Sequence, residues 1–222
     1  MIIVGVDCSS KQGSVAITRD DKPLYQCVYD SNMTHSQNLL SLIENAITVC
    51  GISKDNIDLF AVTLGPGSFT GLRIGLALVK GMAMALDKPC VGVSSLAAMA
   101  KAADLDGTVV PCFDARRGQV YCNITAKDGS LIATDDCRMA ADLEEYVKNT
   151  ADDVYFVGDG MELCYNKYGH YPNVKKHSVL MPCTAYGACL LAKDIPQQTH
   201  FELSPSYLRL SQAEKELKEK SK

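Results

Sequence analysis

Residues 64–73, LGPGSFTGLR, hold three glycines and a proline within eight positions. An apolar run (57–63) precedes them and a long apolar segment follows. Strand, glycine turn and helix, in that order, can present backbone N–H groups to an anion at a helix N-terminus. The turn is not a Walker A loop, because no Gly-Lys-Ser/Thr follows it. A second polar turn, Asp7-Cys8-Ser9-Ser10 with Gly13, could aim N–H groups and hydroxyls at a phosphate, with Asp7 near a bound cation. An ordinary polar hairpin is the plainer reading of that turn alone.

Groups for other chemistry are scarce. His35, His170, His177 and His200 have neither H-x-x-x-H nor H-E-x-x-H spacing, and no serine sits in G-x-S-x-G. Ser68 follows the glycine turn and reads as a helix cap, since nothing in the sequence supplies the base a nucleophile needs. The ten cysteines are scattered without a C-x-x-C pair, which argues against zinc. Most lie in apolar runs and read as buried thiols.

The elements that would position these residues follow from periodicity. Residues 2–6, 13–18 and 24–29 read as an antiparallel meander. Thr34-His35-Ser36-Gln37 is a capping box. The helix after it carries Leu39, Leu42, Ile43, Ala46 and Cys50 at helical spacing, with Leu40 and Ile47 widening the stripe, and Gly51 closes it. His35 reads there as a surface or capping residue.

Residues 57–63 form a nearly continuous apolar run, the pattern of a buried parallel strand. In the helix that runs to Leu86, Ala77, Gly81 and Ala85 make one small-residue ridge and Gly71 with Gly75 another. An interior glycine costs up to about 1 kcal/mol against alanine. The ridges therefore imply close packing, either within the chain or at a subunit interface. Arg73, Ala77, Lys80 and Met84 form a mixed second face; its two cations read as a core or interface helix rather than a membrane span.

The chain then begins again. Val6-Asp7…Gly13-Ser14-Val15 is echoed by Phe113-Asp114…Gly118-Gln119-Val120. The strand and glycine turn at 58–67 are echoed at 153–160. Each half thus reads strand–Asp–Gly–strand, helix (140–148 in the second), strand, glycine turn, helix. Short helices are expected at 161–169 and 184–192.

The 222 residues are 47% hydrophobic with a net charge of −4, which excludes a strongly basic nucleic-acid binder but leaves room for a local basic patch. The first apolar run ends at Asp7 without a basic flank, so a cytoplasmic protein without an export signal is expected.

Duplicated halves of this kind suggest an α/β, actin-like (ASKHA) architecture, a doubled ribonuclease-H-like fold of two lobes with mixed sheets flanked by helices. Residues 1–103 and 104–210 would form the lobes and 211–222 a charged tail. In such a fold Asp7, Ser9, Ser10 and Asp114 would flank a nucleotide's phosphates. Gly65, Gly67, Ser68, Gly158 and Gly160 would approach phosphate and nucleoside.

Several motifs together carry a resemblance. They are Val6-Asp7-Cys8-Ser9-Ser10, His35-Ser36-Gln37, residues 64–73 with Lys80-Gly81, Val93-Ser94-Ser95-Leu96, Asp114-Ala115-Arg116-Arg117-Gly118-Gln119-Val120-Tyr121 and Pro205-Ser206-Tyr207-Leu208-Arg209. Over most of its length the chain resembles the TsaB (YeaZ) family. This is the partner subunit of the bacterial complex that makes N6-threonylcarbamoyladenosine next to the anticodon of tRNA. The resemblance implies an inactive paralogue of the catalytic TsaD: where TsaD carries a metal-binding H-x-x-x-H, this chain has Ser95 and Met99.

It further implies a homodimer that gives way to a heterodimer with TsaD, through His35, Leu39, Leu42, Ile43 and Ala46 of one helix and Arg73, Ile74, Ala77, Lys80, Gly81 and Met84 of the next. It implies a TsaE-like ATPase as a third partner, tRNA contact only through the complex, and no membrane. No metal and no cofactor is expected for the chain itself, with room for ATP or ADP at the complex interface. Two other readings are a nucleotide-dependent phosphotransferase or ATPase using Asp7 and Asp114, and a metallopeptidase of the glycoprotease type.

Overall fold

A computed structural model describes residues 1–30, 35–177 and 181–209. Thr34 of the capping box and the charged tail lie outside the described residues. The opening meander forms as its alternation requires. β1 (Ile2–Asp7) pairs antiparallel with β2 (Gly13–Arg19), and β2 with β3 (Lys22–Tyr29). Asp20 and Asp21, both at positive φ, make the two-residue turn between β2 and β3. β4 (Leu59–Gly65) joins β1 in parallel, and β5 (Cys90–Ser94) joins β4. β4 starts two residues later than the apolar run, because Ile57 caps a short 3-10 turn, Lys54–Asn56.

The second half repeats the plan. β6 (Thr108–Arg116), β7 (Gln119–Thr125) and β8 (Leu131–Met139) form a meander, and β9 (Val154–Val157) lies parallel to β6. The sheet orders are β3-β2-β1-β4-β5 and β8-β7-β6-β9. Among the described residues the second sheet repeats the first four strands of the first without the fifth. This is the doubled, mixed-sheet architecture expected of an actin-like chain. β8 was not foreseen. Its LIATDDCRM sequence is largely exposed and lacks a clean alternation, although the Asp128-Gly129 turn before it is a hairpin signal.

Among the described residues six α-helices flank the sheets: α1 (His35–Val49), α2 (Phe69–Leu86), α3 (Ser95–Ala103), α4 (Glu144–Asn149), α5 (Met161–Tyr168) and α6 (Thr184–Ala192). The helix expected at 140–148 opens as a 3-10 turn, Ala140–Leu143, before α4. One face of α1 and one of α2 fill the first core beneath β1, β2 and β4. α2 is the one described helix long and apolar enough to cross a membrane. Its Leu72, Leu76, Val79 and Ala83 are buried in the protein.

The lobes exchange helices. α3, from the first half, lies on β6, β7 and β9; α6, from the second, lies on β1, β2, β4 and β5 and against α3. The exchange depends on close backbone approach. A Cβ on Gly187 would stand 1.8 Å from the Ala98 carbonyl oxygen, and one on Gly5 would stand 2.3 Å from that of Ala185. After α6 the chain stays with the first lobe. Gln198 bridges Cys90, Leu203 enters the first core, and the Ser206 N–H donates to the Leu64 carbonyl at 2.7 Å. The boundary drawn at 104 thus assigns α6 and residues 198–206 to the second lobe, whereas α6 packs on the first sheet and Leu203 is buried in the first core.

Seven of the ten cysteines are buried and all are free thiols. Burial pushes Cys122 up to about 12 and Cys183 up to about 11, so both stay protonated at neutral pH.

Candidate functional site: an interlobe cleft and an outward helix face

A cleft of about 850 Å³ opens between the loop after β1, the start of α2 and the β6–β7 hairpin. The duplicated topology dictates its place, since in both halves the first strand and the glycine turn end at the same edge. Of the nine residues expected around a nucleotide, Ser9, Ser10, Gly67, Ser68 and Asp114 line it. Gly158 borders a smaller adjoining pocket, and Asp7, Gly65 and Gly160 line neither.

Asp7 is 1% exposed. Its Oδ1 accepts from the Thr63 hydroxyl at 2.7 Å and from the Ser9 N–H at 3.1 Å. It ties β1 to β4 and does not pair with Asp114 across the cleft. Desolvation raises its pKa, and the hydrogen bonds from Ser9 and Thr63 oppose the rise only in part. A carboxyl raised in the folded state binds its proton more tightly folded than unfolded. Its contribution to stability is full below the unfolded pKa and is lost as pH rises through the folded one. Melting of wild type and Asp7→Asn across pH 4 to 8 should show the wild type gaining on the variant as pH falls. A constant offset would refute the raised pKa.

The glycine turns are committed inward. The Ser68 N–H donates to the Ser9 carbonyl at 2.6 Å, the Gly71 N–H to Ser68 Oγ at 3.2 Å and the Gly160 N–H to the Cys112 carbonyl at 3.0 Å. A Cβ on Gly67 would meet Ser9 O at 2.2 Å, and one on Gly158 would meet Cys112 O at 2.3 Å. The close approach that the glycines permit is therefore to the chain's own first strands, and these N–H groups already have acceptors. Ser68 is the α2 cap, as its position suggested.

Arg116, Asp159 and His35 were not foreseen in the cleft. Asp114 pairs with Arg116 at 3.8 Å, and its N–H donates to Asp159 at 2.9 Å. The pKa of Asp159 is raised, chiefly by desolvation in the cleft wall although its edge meets solvent, and further by the charge of Asp114. The hydrogen bond from Asp114 opposes that rise. His35, expected at a partner surface, faces the cleft: Nε2 lies 3.0 Å from the Ser10 carbonyl and Nδ1 2.8 Å from the Tyr29 hydroxyl. A carbonyl only accepts, so the Nε2–H tautomer is assigned and Tyr29 donates to Nδ1. No local spacing joins His35 to Ser10, 25 residues away, so its sequence gave no signal.

The expected partner surface divides in two. Leu39, Ile43 and Ala46 are core residues beneath β2, and Leu42 packs half-buried against them. These four residues of the α1 stripe are thus satisfied within the chain, whereas Leu40 stays exposed. Ile74 turns to the cleft. The rest of the α2 set remains outward: Arg73, Ala77 and Gly81 are exposed, Lys80 is half-buried, and Met84 is 63% exposed. The two ridges also separate. Gly71 and Gly75 pack on Cys8, whereas a Cβ on Gly81 would meet nothing within 4 Å.

Ser95 and Met99 are fully buried. Ser95 Oγ accepts from the Gly65 N–H at 3.1 Å, and the Met99 sulfur packs on Gly158. Among the described residues no group of three His, Cys, Asp or Glu side chains could hold a metal ion.

Known proteins share this arrangement. The tRNA threonylcarbamoyladenosine biosynthesis protein TsaB of Bacillus subtilis is 31% identical over 96% of both chains. The chain belongs to the TsaB (YeaZ) family. Residues 30–170 also match the profile of the TsaD family, tRNA N6-adenosine threonylcarbamoyltransferase, as expected for a paralogue of that enzyme. YeaZ from Pseudomonas aeruginosa superposes with a TM-score of 0.78 at 24% identity, covering 93% of this chain and 99% of its own. The ADPNP-bound activator of 2-hydroxyisocaproyl-CoA dehydratase from Clostridium difficile superposes with a TM-score of 0.56 at 12% identity, covering 87% and 95%. These two likenesses establish the actin-like fold.

Proposed function

We propose that this chain serves tRNA threonylcarbamoyladenosine biosynthesis as a non-catalytic subunit, binding a TsaD-type enzyme and holding it in its active form. The observation that carries the reading is the outward face of α2. Ala77, Gly81 and Ala85 lie exposed along one ridge, and among the described residues no neighbour accounts for a helix-interior glycine at 81. A glycine there costs the isolated chain about 1 kcal/mol of helix stability. Close approach of a partner helix offsets that cost.

The non-catalytic part rests on side-chain chemistry. Serine and methionine at 95 and 99 offer no imidazole pair, and the N–H groups of Gly65, Ser68, Gly71 and Gly160 in the glycine turns already have acceptors within the chain. TsaD is the first partner in this reading; a TsaE-like ATPase joins the assembled pair, and tRNA is met through the complex. The homodimer uses the same α2 face when TsaD is absent.

Reconstitution tests it. Threonylcarbamoyl transfer to tRNA by TsaD should require this chain, and the chain alone should turn over neither tRNA nor ATP. Transfer of equal rate without the chain would refute the scaffold role. Mg-dependent ATP turnover by the chain alone would establish the phosphotransferase reading instead.

A further inference from the structure

Arg116 and Arg117 occupy left-handed backbone, at φ 67° and 56°. Side chains other than glycine, asparagine and aspartate rarely take that conformation, because the Cβ crowds the following carbonyl oxygen. The two-residue turn Arg117-Gly118 would ordinarily be Asn-Gly or Asp-Gly. Two consecutive arginines at a hairpin tip therefore oppose the local backbone preference, and among the described residues Asp114 is the one carboxylate that pairs with either. Both are exposed, and the one ion pair between them is Arg116 with Asp114 at 3.8 Å.

The tip is one end of a longer row. Arg209 Nη1 donates to the carbonyl of Ala115, next to Arg116, at 3.1 Å. Two residues before it, the Tyr207 hydroxyl accepts from Arg73 Nε at 2.9 Å, and the Arg73 guanidinium lies 3.9 Å over the Phe69 ring. Four arginines thus follow one another from α2, along residues 207–209, to the β6–β7 hairpin of the second lobe. Arg73, Arg117 and Arg209 have no carboxylate partner among the described residues. Arg116 alone lines the cleft, so the row runs past the cleft instead of converging in it. Convergence would suit one compact anion; a row suits an extended one.

We propose that Arg73, Arg209, Arg116 and Arg117 form a contact for the sugar-phosphate backbone of RNA. The planar guanidinium fork matches phosphate oxygens. Such contacts position a nucleic acid without reading its sequence, and they suit a protein whose net charge of −4 leaves no general affinity for polyanions. The proposal rests on the subunit role above for its RNA, the tRNA that the complex modifies. It replaces contact only through the partner by direct contact at this row.

The test is filter binding of labelled tRNA to the chain alone and to its complex with TsaD, from 50 to 200 mM salt. Wild type is compared with Arg117→Asn and with Arg116→Asn/Arg117→Asn; gel filtration of the same samples measures assembly. The double variant should bind tRNA about tenfold more weakly at 0.1 M salt, with a salt slope shallower by about 1.5. Assembly should be unchanged. Arg117→Asn should melt no lower than wild type, because Asn-Gly suits the turn.

A double variant that assembles and binds tRNA with unchanged affinity and slope would overturn the proposal. So would tRNA binding that polyglutamate displaces as readily as unlabelled RNA does, since the surface would then be one for acidic protein. If wild type fails to assemble with TsaD, the subunit role falls. Arginine dependence of RNA binding by the chain alone then still decides for or against the row.

Discussion

Gly81→Glu is expected to weaken association with TsaD by at least about a hundredfold while leaving the fold intact. The position is exposed and open, so among the described residues the carboxylate meets no neighbour. Glutamate is also a better helix former than glycine, and the free variant should melt no lower than wild type. In a complex the same carboxylate would be trapped between helices at a site that only a hydrogen atom fills. A charge left unpaired in a dry interface costs on the order of 3–5 kcal/mol, which sets the hundredfold as the lower bound. Ala77→Glu, one turn earlier on the ridge, should behave alike. Gly81→Ala separates the two effects: the free chain gains about 0.4–1 kcal/mol, yet the added methyl should weaken the complex. Copurification of Gly81→Glu with TsaD at wild-type affinity would remove α2 from the interface.

Gly187→Ala should be the most damaging single-methyl change. The new Cβ would lie 1.8 Å from the Ala98 carbonyl oxygen and 3.0 Å from the Ala102 nitrogen, both backbone atoms of α3. Neither helix can yield alone. α3 is pinned to the second sheet, α6 to the first, and Gly5 beneath α6 leaves no slack, since its own Cβ would strike Ala185 O. Overpacking against backbone costs about 3 kcal/mol or more. For a chain of this size that lowers the melting temperature by about 6–12 °C. Thermal melts followed by circular dichroism decide it; a loss under about 2 °C would mean that the helix exchange is not tightly coupled. Gly81→Ala, the same chemical change on an open surface, should move the melt the other way.

The contrast between these two glycines marks the limit of what residue spacing reveals. Both sit inside helices at small-residue positions, and the sequence alone treats them alike. The strands β1 to β7, the α2 cap at Ser68 and the echo between the halves were legible because each follows from a local rule: alternation, capping or turn chemistry. β8 was missed because an exposed edge strand has no buried face to set an alternation. The α1 stripe was read correctly as apolar but given to a partner. Leu39, Ile43 and Ala46 are in the chain's own core, since periodicity reports that a face is buried and not what buries it. Asp7 shows the same gap, for an acid at a strand end can face a ligand or a neighbouring strand.

By itself, then, the sequence determined the duplicated α/β plan, the lack of an imidazole pair at Ser95 and Met99, and the family. All three depend on residue identity and order, which folding does not alter. Only the tertiary structure decided where each polar group is spent. It placed Asp7 inside the first sheet, gave the N–H groups of Gly65, Gly71 and Gly160 acceptors within the chain, and brought His35 to Ser10 across 25 residues. It also set Arg73, Arg209, Arg116 and Arg117 in one row. These outcomes rest on contacts between distant segments. Such contacts are chosen by how two lobes pack and exchange helices, a choice that no local pattern of residues records.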